Sequence, residues 1–142
     1  GVLVNALLAA DLADAGAAAA AAQRLVDQGY RAIKIKVARG PDPMADARAV
    51  AAVRAAVGPA VALRCDANRR WTLDEAVAFG SAVAEAGVGL EYLEEPTHNP
   101  CDIEEFFKAT GVPVALDETV DEGILRRAGA AGPGEAPPLG RA

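Results

Sequence analysis

Polar and apolar positions alternate along residues 31–40, RAIKIKVARG. Ile33, Ile35 and Val37 fall on one side of an extended chain, and Lys34 and Lys36 fall on the other. The alternation predicts a strand over 32–37 with one apolar and one cationic face. Short apolar runs at 2–8 (VLVNALL), 61–66 (VALRCD), 90–94 (LEYLE) and 113–117 (PVALD) predict four more strands. Between them lie segments of helical period. An alanine-rich helix is predicted over 14–28, with Leu25 and Val26 inward and Gly29 closing it. A second, over 43–57, stops at Gly58-Pro59. A third, over 72–86, opens on a capping box of Thr72 and Glu75. A fourth, over 100–110, has Asn99 as its cap and Pro100 at its first position. A fifth is predicted over 121–128. From Gly129 the sequence GAAGPGEAPPLGRA is rich in glycine and proline and reads as a disordered tail.

Five βα units in strict alternation require right-handed crossovers and a parallel sheet. Two α/β architectures meet that requirement, the doubly wound sheet and the (β/α)₈ barrel. No G-x-G-x-x-G follows a predicted strand, so a dinucleotide site has no support. A full barrel takes about 250 residues and eight units. The expectation is therefore a partial TIM-type barrel over 1–128, about five units with closure incomplete, followed by the tail over 129–142.

Composition narrows the function. The chain has 142 residues, and 52% of them are hydrophobic, enough for one core. Only 4% are aromatic, so alanine, valine and leucine must fill most of it. A net charge of −6 without a basic patch argues against nucleic acid. No apolar run reaches the roughly 20 residues of a membrane span. The first residue is Gly1 and no leader is visible, so a piece of a longer polypeptide is expected, joined to other domains, with its compartment unreadable from these residues. Cys65 and Cys101 read as free thiols.

Three predicted strands end in acids: Asp66 in RCDAN, Glu94 in YLEEP and Asp117 in ALDET. The C-terminal ends of parallel strands share one edge, and neighbours lie about 4.8 Å apart. Parity places Asp66 and Asp117 on the face opposite the apolar residues, as it does the two lysines. For Glu94 it is undecided, because acids occur on both faces of 90–95. Three converging carboxylates repel one another, and a hard divalent cation removes the conflict. Oxygen-only ligation suits Mg²⁺, with coordination sites left for water or substrate.

Of the 14 basic residues only Lys34, Lys36 and Lys108 are lysine. Lysine can give up its proton in a protein, whereas arginine cannot. Two ammonium groups ~7 Å apart repel by about 2–3 kcal/mol at an effective dielectric of 20, which favours a neutral amine. Nearby carboxylates pull the other way. A lysine that is neutral near pH 7–8 can remove a proton from carbon beside a metal-bound carboxylate. His98 reads as a solvated loop residue, and so do Arg69 and Arg70, for which reaching a substrate carboxylate is the alternative. Trp71 reads as packing over the turn after Asp66, and Cys65 as facing the helices.

The ordered set K-x-K (Lys34, Lys36), D-A-N (Asp66, Asn68), E-E-P (Glu94–Pro96) and L-D-E (Leu116–Glu118) resembles the barrel domain of the enolase superfamily, in its mandelate racemase/muconate lactonizing branch. The likeness covers about residues 2–125. It implies that Asp66, Glu94 and Asp117 are the Mg²⁺ ligands and that Lys36 is the general base. It also makes Lys34 the electrostatic partner of Lys36 and places Asn68 behind the ligands. The stretches LRCDANRRWTLDEAVAFG, LEYLEEPTHNPCDIEEF and GVPVALDETVDEG are most similar to o-succinylbenzoate synthases, as carried in a plant and algal multidomain phylloquinone-pathway protein. That likeness implies a small-molecule carboxylate substrate and its dehydration. Lys36 would take the proton alpha to the carboxylate and return it to the departing hydroxyl. Phylloquinone or menaquinone biosynthesis is the implied context. The implied compartment is a plastid on the plant and algal likeness, and the cytoplasm otherwise. Dipeptide epimerisation, cycloisomerisation or a non-catalytic structural remnant are the alternatives. The family carries a further lysine on its sixth strand, and no lysine follows Lys108 here. The last three barrel units and a capping domain are also missing. The chain alone is therefore expected to be poorly active and to expose sheet edges.

Overall fold

The computed structural model describes residues 5–116. The element order is β1 (Asn5–Leu8), α1 (Ala15–Asp27), β2 (Ala32–Lys36), α2 (Pro43–Val57), β3 (Ala62–Asp66), α3 (Leu73–Glu85), β4 (Tyr92–Glu94), a 3₁₀ turn (Pro100–Asp102), α4 (Ile103–Thr110) and β5 (Val114–Ala115). All strands are parallel and lie in chain order, β1-β2-β3-β4-β5. Asp117, the helix predicted over 121–128 and the tail over 129–142 lie outside the described residues.

Each helix starts and stops where its local chemistry requires. The Asp14 side chain accepts from Ala17 N and caps α1, and Asp42 does the same for α2 through Met44 N. Thr72 and Glu75 form the predicted capping box on α3. The C-terminus of α1 is one residue earlier than a Gly29 cap implies. Gln28 is the cap, and Gly29 follows in left-handed backbone with φ +103°. Gly29 N donates to Val26 O and Tyr30 N to Leu25 O, a Schellman closure. Gly87 and Val88 repeat it after α3. The fourth predicted helix splits in two. Pro100 begins a 3₁₀ turn whose Cys101 N–H is held by the Asn99 side chain, and α4 starts only at Ile103.

Leu8, Ile33, Ile35, Leu63, Cys65, Leu93 and Val114 form the buried sheet face and join the helices in one core. Helices pack in sequence, α1 on α2, α2 on α3, α3 on α4, so all lie on this face. That is the layering of a barrel wall rather than of a doubly wound sheet, which puts helices on both faces. Among the described residues the wall has five strands and does not close. In α1 the deepest positions are Ala18, Ala21 and Ala22, with Leu25 and Val26 only partly buried. The alanine run lets α1 sit close against the chain beneath it. Arg54 of α2 ties the opposite end of the wall, donating to the carbonyls of Gly58, Val61 and Val88, each at 2.7 Å.

Candidate active site

Register decides which side chains meet. Lys36, Asp66, Glu94 and Ala115 are aligned partners across β2, β3, β4 and β5. Lys34, Arg64 and Tyr92 form the aligned row two residues earlier. In a pleated sheet, aligned residues point to the same face. Both lysines, Asp66 and Glu94 therefore stand on the helix-free face, at the C-terminal edge. This resolves the parity of Glu94, which the residues alone left open.

Two ion pairs join these groups. Lys34 Nζ lies 2.7 Å from Glu94 Oε1, and Lys36 Nζ lies 3.6 Å from Asp66 Oδ2. Burial pulls the Lys34 pKa down, but the hydrogen bond and charge of Glu94, with smaller contributions from Tyr92 and Asp66, hold it above its ordinary value. For this lysine Glu94 and its neighbours outweigh the cost of burial. Asp66 is buried, and Asn68 supports it twice: its backbone N–H donates to Oδ1 at 3.0 Å and its Nδ2 to Oδ2 at 3.3 Å. Asn68 thus holds both carboxylate oxygens of Asp66.

Three residues around these acids are non-glycine residues in left-handed backbone: Asn68 (φ +52°), Arg69 (φ +61°) and Glu95 (φ +49°). For L-residues this conformation costs roughly 1–2 kcal/mol each, and a cluster of such residues is characteristic of functional loops. Paired bonds hold it. Arg69 N donates to Glu95 O at 2.7 Å, and the Arg69 guanidinium grips the Glu95 carboxylate through Nε (3.0 Å) and Nη2 (3.1 Å). Ala67 N donates to Glu94 O, so the turn after β3 is stitched to the turn after β4. Arg69 is therefore ion-paired rather than a solvated loop residue. The E-E doublet and the arginine after D-A-N were the only available signals, and strand parity fails once Glu95 turns left-handed. Trp71 is buried, and its ring contact is with Phe79 of α3, centroids 4.8 Å apart. Arg64 bonds Glu91 and Asn5 and lies over Tyr92, closing the row below the acids.

An open pocket of about 500 Å³ lies beside Lys36, between the loops that follow β1 and β2. Its wall includes Leu7, Asp11, Arg39 and Asp46. Asp66 and Glu94 suit a hard cation: both are oxygen donors from adjacent strands, and each forms an ion pair with a lysine. Among the described residues no group of three metal-ligating side chains occurs. The third expected ligand, Asp117, lies outside them.

Comparison with known proteins agrees with this fold. The pattern defining the "Enolase C-terminal domain-like" family matches residues 17–124. The chloroplastic protein PHYLLO of Arabidopsis thaliana is 48% identical over 101 residues, 71% of this chain and 6% of that protein. An o-succinylbenzoate synthase of Aliivibrio salmonicida is 49% identical over 68 residues, 46% of this chain and 21% of that one. The solved dipeptide epimerase of Enterococcus faecalis V583, complexed with Mg and the dipeptide L-Leu-L-Tyr, superposes with a TM-score of 0.72 at 30% identity, covering 84% of this chain and 32% of that one. The chain thus spans a third or less of the length of each. Among the described residues no helix is long and apolar enough to cross a membrane. With the parallel wall, the lysine row and the strand-end acids in place, the family match over most of its length means that the chain belongs to the enolase C-terminal domain-like family.

Proposed function

We propose that this chain carries the base and metal-ligand side of an o-succinylbenzoate synthase-type dehydratase in phylloquinone or menaquinone biosynthesis. The observation that supports it most is the alignment of Lys36, Asp66 and Glu94 on one register row of the helix-free face. Asp66, Glu94 and Asp117 would hold Mg²⁺, which supplies positive charge against the substrate carboxylate when bound. Asn68 keeps both oxygens of Asp66 oriented. Lys36 Nζ takes the proton alpha to the carboxylate of a hydroxylated cyclohexadiene. The C–H electrons form the new C=C as the C–O bond breaks. The same ammonium then gives that proton to the departing hydroxyl, which leaves as water. Lys34, paired with Glu94, adds a fixed positive charge beside this step. Similarity to a chloroplast protein favours a plastid address and a place among other domains.

Calorimetry with Mg²⁺ tests the metal role. The chain should bind the ion and Asp66→Ala should not; equal binding by both would remove Asp66 from the metal site. In a polypeptide that carries the remaining barrel units, with the cyclohexadiene carboxylate as substrate, Lys36→Ala should lower turnover by about 10²–10⁴-fold, the range of a lost general base. Dipeptide epimerisation is the second reading, supported by the structural likeness to the dipeptide epimerase. It uses the same lysine to remove a proton alpha to a carbonyl. Deuterium uptake from D₂O at the dipeptide α-carbon, without turnover of the cyclohexadiene, would select it.

A further inference from the structure

Asp46 is an acid that the proposed chemistry leaves without a role. It sits in the first turn of α2, is only 6% exposed, and forms part of the pocket wall that also holds Lys36. An acid in a first helical turn is common, because the helix N-terminus favours negative charge. Asp46 is unusual in where it points. Its Oδ2 accepts a 2.7 Å hydrogen bond from Ala38 N, eight residues back and across the β2–α2 loop.

Ala38 is two residues beyond Lys36 and is left-handed, with φ +63°. An L-residue with a Cβ does not hold that conformation without compensation. Gly40, which could adopt it freely, lies two residues further on. The bend is therefore placed on a residue that resists it, and that residue's N–H donates to a buried carboxylate. The preceding residue is held as well: Val37 N donates to Asp66 O at 2.9 Å, so the chain leaves the sheet immediately after that bond.

We propose that Asp46 is a positioning residue: by locking Ala38 in left-handed backbone it fixes the end of β2 and holds the Lys36 ammonium toward Asp66 and the pocket. The functional meaning rests on the reading of Lys36 as the base, but the placement can be measured without turnover. Burial pushes the Asp46 carboxyl up and the Ala38 N–H pulls it down, which fits a group held for its acceptor oxygen.

The test is limiting acylation of the chain with a succinimidyl ester, read as the Lys36:Lys108 labelling ratio by peptide mass spectrometry. Lys108 lies on α4, pairs with Glu104 among the described residues, and serves as the internal standard. Asp46→Ala should raise the ratio at least threefold, because Lys36 is released from Asp66. Asp46→Ala/Ala38→Gly should return it to within twofold of the unaltered chain, because glycine adopts the bend without help. An unchanged ratio in a folded Asp46→Ala chain would overturn the proposal. So would a raised ratio that Ala38→Gly fails to restore, since Asp46 would then act through packing alone. If Asp46→Ala does not fold by circular dichroism, Ala38→Pro carries the test from the other side. It removes the donor and forbids positive φ while leaving Asp46 in place, and it should give the same threefold rise; no rise would sink the idea. Loss of turnover in Lys36→Ala is independent of these outcomes, so the base assignment and the positioning role can fail separately.

Discussion

Cys65 and Cys101 differ in the features that govern thiol chemistry. Cys65 is completely buried on the helix side of β3, and burial, with the nearby charges of Asp46 and Asp66, pushes its thiol well above the ordinary range. Cys101 is exposed at the start of the 3₁₀ turn. The thiolate is the reactive form. Iodoacetamide on the native chain should alkylate Cys101 alone, and Cys65 should react only after urea unfolding; equal native labelling would contradict the packing. Asp46 permits a second prediction at this scale, with its sign set by the raised pKa. Near neutral pH the buried carboxylate is charged and opposes folding. As pH falls through its raised folded pKa, the native state gains a proton that the unfolded state does not yet hold, so stability is recovered. Asp42 and Cys65 are its titratable neighbours. Urea midpoints at pH 7 and pH 4.5 should show the unaltered chain gaining on Asp46→Asn as pH drops.

At the scale of elements, the wall depends on close helix contacts as well as on strand order. Gly80 of α3 faces α4, where an added Cβ would lie 2.8 Å from Thr110 Cγ2 and 2.9 Å from Phe106 Cε1. Phe106 is fully buried and has no room to retreat. Gly80→Ala raises intrinsic helix propensity but forces α3 and α4 apart. Overpacking should win, with a net loss of about 1–3 kcal/mol in urea denaturation. A stabilised variant would mean that the α3–α4 contact is looser than described. Helix propensity gives no reason for a glycine in the middle of α3; the demand for it comes from another helix.

For the whole molecule, the described wall gathers charge at one edge. Asp66, Glu94, Lys34 and Lys36 come from three strands, and their pairing leaves both acids balanced by lysines. On the proposed function, Mg²⁺ binds the folded chain and not the unfolded one. Mass action then raises stability by about 1.4 kcal/mol at ten times the dissociation constant. The thermal midpoint should climb with Mg²⁺ for the unaltered chain and stay flat for Asp66→Ala. A parallel climb in both would place the ion elsewhere.

Much of this molecule follows from local pattern. The alternation at 31–37, the caps at Asp14, Asp42 and Thr72, and the turns at Gly29 and Gly58 act within a few residues of themselves. The order of elements, the acids at strand ends and the resemblance that places the chain in its family therefore lay in the sequence. Tertiary structure alone decided that Glu94 shares a row with Lys36, that Lys34 pairs with Glu94, that Arg69 grips Glu95, and that every described helix lies on one face. Those outcomes depend on register and on left-handed residues between distant segments, and short-range periodicity carries no information about which row of one strand lies beside which row of the next.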